Sequence, residues 1–133
     1  MTLHFYHCDI CGKTAVLIDD TDIPTYCCGK PMTEMTENHT DGVADKHLPV
    51  YTDSYGTVSV RIGSELHPMK DNHYISWIGL RTNQGFRLKE LHPGSRPEAV
   101  FFLDPGDRVE AVYAFCNLHG LWCAEKGGLN AGR

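Results

Sequence analysis

The chain has 133 residues, enough for one domain or for one domain beside a small stapled module. Hydrophobic residues make up 41% and charged residues 22%, which excludes a disordered chain, and no apolar run reaches the ~20 residues of a membrane-spanning helix. A net charge of −5 with 12 scattered Lys and Arg argues against a nucleic-acid groove, which needs clustered cations.

The N-terminus, MTLHFYHCDICG, has no basic segment followed by a long apolar stretch, so no signal peptide is read and a cytoplasmic protein is expected. Six Cys and eight His are many for this length. In a reducing compartment they read as metal ligands or redox groups rather than disulfides. Residues 1–36 hold four of the six Cys in a span too short to bury much apolar surface, so a staple is expected there.

Cys8 and Cys11 form a C-x-x-C knuckle, and Cys27 and Cys28 are adjacent about 15 residues later. That pattern signals a tetrathiolate site for zinc or a single iron, and spacing alone leaves both metals and a purely structural knuckle open. Gly12 and Gly29 follow the two pairs, where glycine eases the turn of backbone N–H groups toward sulfur. Neighbouring residues cannot spread their sulfurs as a C-x-x-C does, so a distorted tetrahedron is expected.

The polar run 33–46 carries no strand period and reads as a connection. From His47 onward the pattern is that of a β domain. Alternation is clearest in Tyr55–Ile62, with Val58, Val60 and Ile62 on one face. His73–Thr82 is rich in aromatic and β-branched residues, and Asn83-Gln84-Gly85 reads as a hairpin connection into Phe86–Leu91. Glu98–Leu103 follows, then the turn Asp104-Pro105-Gly106-Asp107, then Arg108–Phe115 as the last strand. Short strands at intervals of about 8–12 residues predict an all-β antiparallel sandwich.

Three clusters sit at strand edges or loops: KHLPV at 46–50, HPMKDNHY at 67–74 and CNLHGLW at 116–122. Any one of these histidines reads as an ordinary surface or core residue. Together, His47, His67, His73 and His119 with Cys116 make four imidazoles and one thiolate available to a single site. His4, His7, His39 and His92 are not expected to ligate, and Cys123 reads as a spare thiol. Tyr74, Trp77, Phe101, Phe102 and Trp122 read as core or site-wall aromatics.

Over residues 5 to about 124 the sequence resembles the two-iron superoxide reductases, or desulfoferrodoxins. CDICG and CCGKPM resemble that family's desulforedoxin-type module, and KHLPV, HPMKDNHYISWI and CNLHGLW its catalytic iron-site motifs. The resemblance implies a desulforedoxin-like module at 1–36, a linker at 37–46, a catalytic immunoglobulin-like sandwich of seven antiparallel strands at 47–126 and a frayed tail at 127–133. It implies two iron ions per chain. Cys8, Cys11, Cys27 and Cys28 would hold the first; His47, His67, His73 and His119 would ligate the second equatorially, with Cys116 as axial thiolate.

The implied activity is one-electron reduction of superoxide to hydrogen peroxide, with re-reduction by a rubredoxin-like donor and a homodimeric state. Lys46 is the candidate for steering superoxide and organising proton delivery. Asp45 stands where members of the family often carry a Glu that closes the sixth position of the oxidised iron; it is one methylene shorter. A rival reading is an electron-transfer or redox-sensing iron protein without turnover. Four neutral imidazoles and one thiolate would leave ferrous iron with one position free, as inner-sphere chemistry requires. The thiolate would push electron density toward that position, as cysteine ligation does in haem enzymes.

Overall fold

The computed structural model describes residues 3–37 and 44–125, with only the backbone at Ala44 and Asp45. The chain divides into two units, Met1–Thr36 and Glu37–Arg133. The proposed tail at 127–133 and most of the proposed linker lie outside the described residues.

In the first unit β1 (His4–His7) pairs antiparallel with β2 (Thr14–Leu17) and with β5 (Thr33–Glu34). A second ribbon pairs β3 (Tyr26–Cys27) with β4 (Lys30–Pro31). The first two residues of the polar run 33–46 are therefore strand, not connection: Thr33 pairs with His7 and Glu34 with Tyr6. A two-residue edge strand is too short to show a period. Among the described residues of this unit, Phe5 and Cys8 are the fully buried apolar side chains, whereas Ile18 is 84% and Ile23 78% exposed. So little core cannot hold a fold by itself.

The second unit opens with the single helical turn α1 (Ala44–His47). Seven strands follow among the described residues: β6 (Pro49–Ser54), β7 (Thr57–Ile62), β8 (Ile75–Thr82), β9 (Phe86–Glu90), β10 (Glu98–Phe102), β11 (Val109–Cys116) and β12 (Gly120–Glu125). They form a three-stranded sheet in the order β10-β7-β6 and a four-stranded sheet in the order β12-β11-β8-β9, all antiparallel. This is the four-plus-three division of an immunoglobulin-like sandwich. Val58, Ile62, Ile75, Ile78, Leu80 and Val112 fill the space between the sheets with no exposed surface. No helix among the described residues is long and apolar enough to cross a membrane.

Val58, Val60 and Ile62 face the core as their alternation predicts, while Ser59 and Arg61 are exposed. The strand begins at Thr57 rather than Tyr55, because Tyr55 (φ 52°) and Gly56 (φ 79°) form a two-residue hairpin turn of the primed type. Phe102 is 70% exposed, not a core or site-wall residue. It alternates with Phe101, which takes the inward position on β10. The last strand is β12 rather than β11. Its run Leu121–Ala124 is buried throughout, so it carries no alternation to read.

β6 starts, β7 ends, β8 starts and β11 ends at the same end of the sandwich, as the antiparallel registers dictate. All three His and Cys clusters of the sequence fall on the connections at that end.

Candidate metal centres

In the first unit the two cysteine pairs converge. The four sulfur atoms lie within 4.8 Å of one another, with Cys11 Sγ 3.6 Å and Cys28 Sγ 4.0 Å from Cys27 Sγ. A metal–sulfur bond of about 2.3 Å gives a tetrahedron with edges of about 3.8 Å, so the set fits one ion. The adjacent pair meets its constraint through the backbone. Cys28 adopts φ 55°, a left-handed conformation unusual outside glycine, and Gly29 follows at φ 77°.

The N–H groups of Cys11 and Ile10 turn toward Cys8 Sγ and hold that thiol down at about 6. Hydrogen bonding among the sulfurs pushes Cys27 up, and Cys28 up to about 12. One thiolate is thus favoured locally, while Cys27 and Cys28 await a cation. All six cysteines are free of disulfides.

In the second unit His47 ends α1, and the chain enters β6 directly after it. The β7–β8 connection carries His67 and His73. It begins at Gly63, whose N–H donates to the Leu48 carbonyl at 2.9 Å. A Cβ at Gly63 would lie 2.6 Å from the Lys46 carbonyl oxygen, and its φ is +86°, so glycine is required for this loop to lie against the turn carrying His47. Cys116 closes β11, and His119 sits in the turn to β12.

The four imidazoles form a ring. Neighbouring centroids are 4.6 Å (His47–His67), 4.7 Å (His67–His73), 5.2 Å (His73–His119) and 4.7 Å (His119–His47), while His47 and His73 stand 6.3 Å apart across it. Neighbours are steeply inclined, by 67° to 81°, so each ring turns an edge inward. Donor atoms of His47, His67, His73 and Cys116 lie within 4.8 Å of one another. His119, outside that tighter set, closes the ring with Nδ1 3.6 Å from Cys116 Sγ.

The donor chemistry fits a cation. His67 Nδ1–H donates to the Pro68 carbonyl at 2.6 Å, which leaves Nε2 as a lone pair, and that atom is 3.1 Å from His47 Nε2. Metal–nitrogen bonds of about 2.1 Å would place adjacent corners of a square about 3.0 Å apart. His73 Nε2 is buried with no hydrogen-bond partner, an uncompensated polar atom that an ion would satisfy. Burial pushes His67 down to about 4 and lowers His73, on which the neighbouring His119 and the Lys70 and Lys46 ammonium groups also act. Burial raises Cys116, against N–H groups of Leu118 and His119 directed at its sulfur. His67 and His73 are therefore held neutral and ready to ligate, and the Cys116 thiolate needs a cation to form.

Trp122, 1% exposed, lies against His47 with centroids 4.8 Å apart and planes 19° from parallel; its indole N–H donates to the His119 carbonyl at 3.2 Å. The Pro68 carbonyl and Asn117, neither singled out in the sequence, also brace the ligand-bearing loops. Of the other residues named from the sequence, Lys46 is exposed beside His47, and the side chain of Asp45 is outside the described residues. His4 bonds Glu34 and His7 lies near Thr14, neither belonging to the cysteine set of their unit, while His39 is outside the described residues. Cys123 is buried on β12 and belongs to neither set.

Fold and donor sets together define a two-centre metalloprotein: a thiolate module and a β-sandwich with a His and Cys centre. The desulfoferrodoxin family pattern matches residues 32–125. A desulfoferrodoxin of Syntrophotalea carbinolica is 39% identical over 123 residues, covering 92% of this chain and 96% of its own. Among solved structures, the superoxide reductase from Treponema pallidum superposes with a TM-score of 0.81 at 32% identity, covering 93% of this chain and 98% of that one. The one-iron superoxide reductase from Giardia intestinalis is similar over 64% of this chain and 99% of its own, with a TM-score of 0.54 and 30% identity. The chain belongs to the desulfoferrodoxin family. That family has two iron sites, and this chain carries a donor set for each.

Proposed function

We propose that this chain is a superoxide reductase whose reaction takes place at the His and Cys centre of the sandwich. The observation that carries this reading is the closed ring of four inward-edged imidazoles beside one buried cysteine sulfur. Bound there, ferrous iron would supply one electron for the balanced reaction O2•− + e− + 2 H+ → H2O2.

The chain's own residues account for the rest. His47, His67, His73 and His119 would hold the ion through nitrogen, and Cys116 would supply the single thiolate. Lys46, exposed near the end of α1, and a divalent ion held by the imidazoles would give superoxide a local cationic target in a chain of net charge −5. That target acts within a Debye length of ~8 Å, where it outweighs the diffuse negative field. Lys46 would also organise water for proton delivery, and Asp45 lies two residues before His47 in the sequence.

The tetrathiolate iron of the module at 1–36 serves as a one-electron relay or store. Cys11 and Cys28 are exposed, which supports access by a small external donor of the rubredoxin kind. The exposed Ile18, Ile23 and Tyr26 support a homodimer, and the reading of the cysteines as metal ligands rather than disulfides fits a reducing cytoplasm.

The deciding experiment mixes the reduced, iron-loaded protein rapidly with superoxide and measures both products. Hydrogen peroxide without matching dioxygen is expected. Equal amounts of the two would mean dismutation, and no consumption of superoxide would mean an electron carrier.

A further inference from the structure

His73 lies in the connection before β8, outside the ladder that holds Cys116. β8 begins only at Ile75, and its register with β11 shifts between Phe115 and Cys116. His73 exchanges backbone hydrogen bonds with Lys70 alone, at 2.9 and 3.1 Å, within its own loop. Met69 of the same loop accepts from Gly94 N–H at 2.8 Å and, through its sulfur, from Ile75 N–H at 3.4 Å, but the residues flanking His73 are held by Asn117, the residue after Cys116. The Tyr74 N–H donates to Asn117 Oδ1 at 2.8 Å, and Asn117 Nδ2–H donates to the Asn72 carbonyl at 3.1 Å. The Asn117 backbone N–H adds a third bond, to the Tyr74 carbonyl, at 3.2 Å.

One amide thus grips the peptides on both sides of His73. The donor and acceptor it meets are fixed by the backbone, so its orientation is determined. Asn117 is itself exposed and fills no core space.

We propose that Asn117 is the positioning residue for His73, its side-chain amide setting His73 Nε2 at the distance from Cys116 Sγ that a shared metal ion requires. The proposal rests on the reading that the four imidazoles and Cys116 hold one ion. Outer partners of metal ligands typically change affinity by about 10- to 100-fold, and Asn117 acts at this level through His73 alone.

The test uses the full chain reconstituted with cobalt(II), with chelator competition read separately from the absorption bands of the two centres. Asn117→Ala is expected to weaken cobalt at the His and Cys centre by about 10- to 100-fold. The tetrathiolate bands should not move, and apoprotein melting should stay within about 2 °C of the parent, as for an exposed side chain outside the core. Asn117→Asp, which keeps the acceptor for Tyr74 N–H and loses the donor to Asn72, should fall between the two. In a His73→Ala background the Asn117→Ala loss should vanish, since both act through one ligand.

Undiminished affinity in Asn117→Ala, or an equal loss with His73 already absent, would overturn the proposal while leaving the shared-ion reading intact. No cobalt at the His and Cys centre of the parent chain would overturn both.

Discussion

The two units bind metal by opposite divisions of labour. The first has Phe5 and Cys8 as its fully buried apolar side chains, and its sulfurs come from short turns bent by Cys28 and Gly29 into left-handed conformations. There the ion is the core. The second unit has a sandwich packed to zero exposure at six large aliphatic positions, and its donors hang from the connections at one end. There the fold exists first and the ion occupies what it has arranged. A metal can therefore be part of folding at one site and only a guest at the other, within a single chain.

The sharpest way to break this comparison is to change the centre that should do the chemistry. Cys116→Ser is expected to abolish superoxide turnover and the thiolate-to-iron absorption band, while the visible bands of the tetrathiolate iron persist. Full activity in that variant would refute the assignment of Cys116 as the anionic ligand. Next in size is Cys11→Ser, which should remove the first iron and, with it, amide protection across residues 3–36. Melting of the sandwich and direct reaction with superoxide should be largely kept. Hydrogen exchange resolved by residue would read both effects; protection surviving in the first unit without its metal would end the contrast drawn here.

A smaller effect is expected from Lys46→Ala, because steering changes encounter rather than the site. The bimolecular rate should fall by roughly 10-fold at low salt, and the gap to the parent should narrow as ionic strength rises. A salt-independent deficit would move Lys46 from encounter to proton delivery. The smallest effect is one of pH on the metal-free sandwich. His67 is held neutral down to about 4 in the folded protein, whereas an unfolded histidine protonates near its ordinary 6.5. Between those values the unfolded chain binds more protons, so stability should decline as pH falls through that window. His67→Gln should flatten this part of the melting-temperature profile.

How much of this was legible beforehand differs by element. Thr57–Ile62 was readable because one face is core and the other solvent. β12 was not, since Leu121–Ala124 is buried throughout and its periodicity vanishes. β5 was too short to show a pattern, and it sits in a polar run that resembles a connection. The cysteine pairs announced their site through spacing alone, because ligands close in sequence must be close in space. The imidazoles did so only as a set of motifs, for His47 and His119 are separated by most of the sandwich.

By itself the sequence determined the ligand types, the tetrathiolate spacing and the all-β character, each being a matter of local covalent reach or of strand alternation. Only the tertiary structure decided that four rings from three connections close into a square, that Gly63 must lie against Lys46, and that Asn117 spans His73. Those facts depend on antiparallel registers bringing strand ends together across the sandwich, and no local stretch of chain encodes a distance between segments it does not contain.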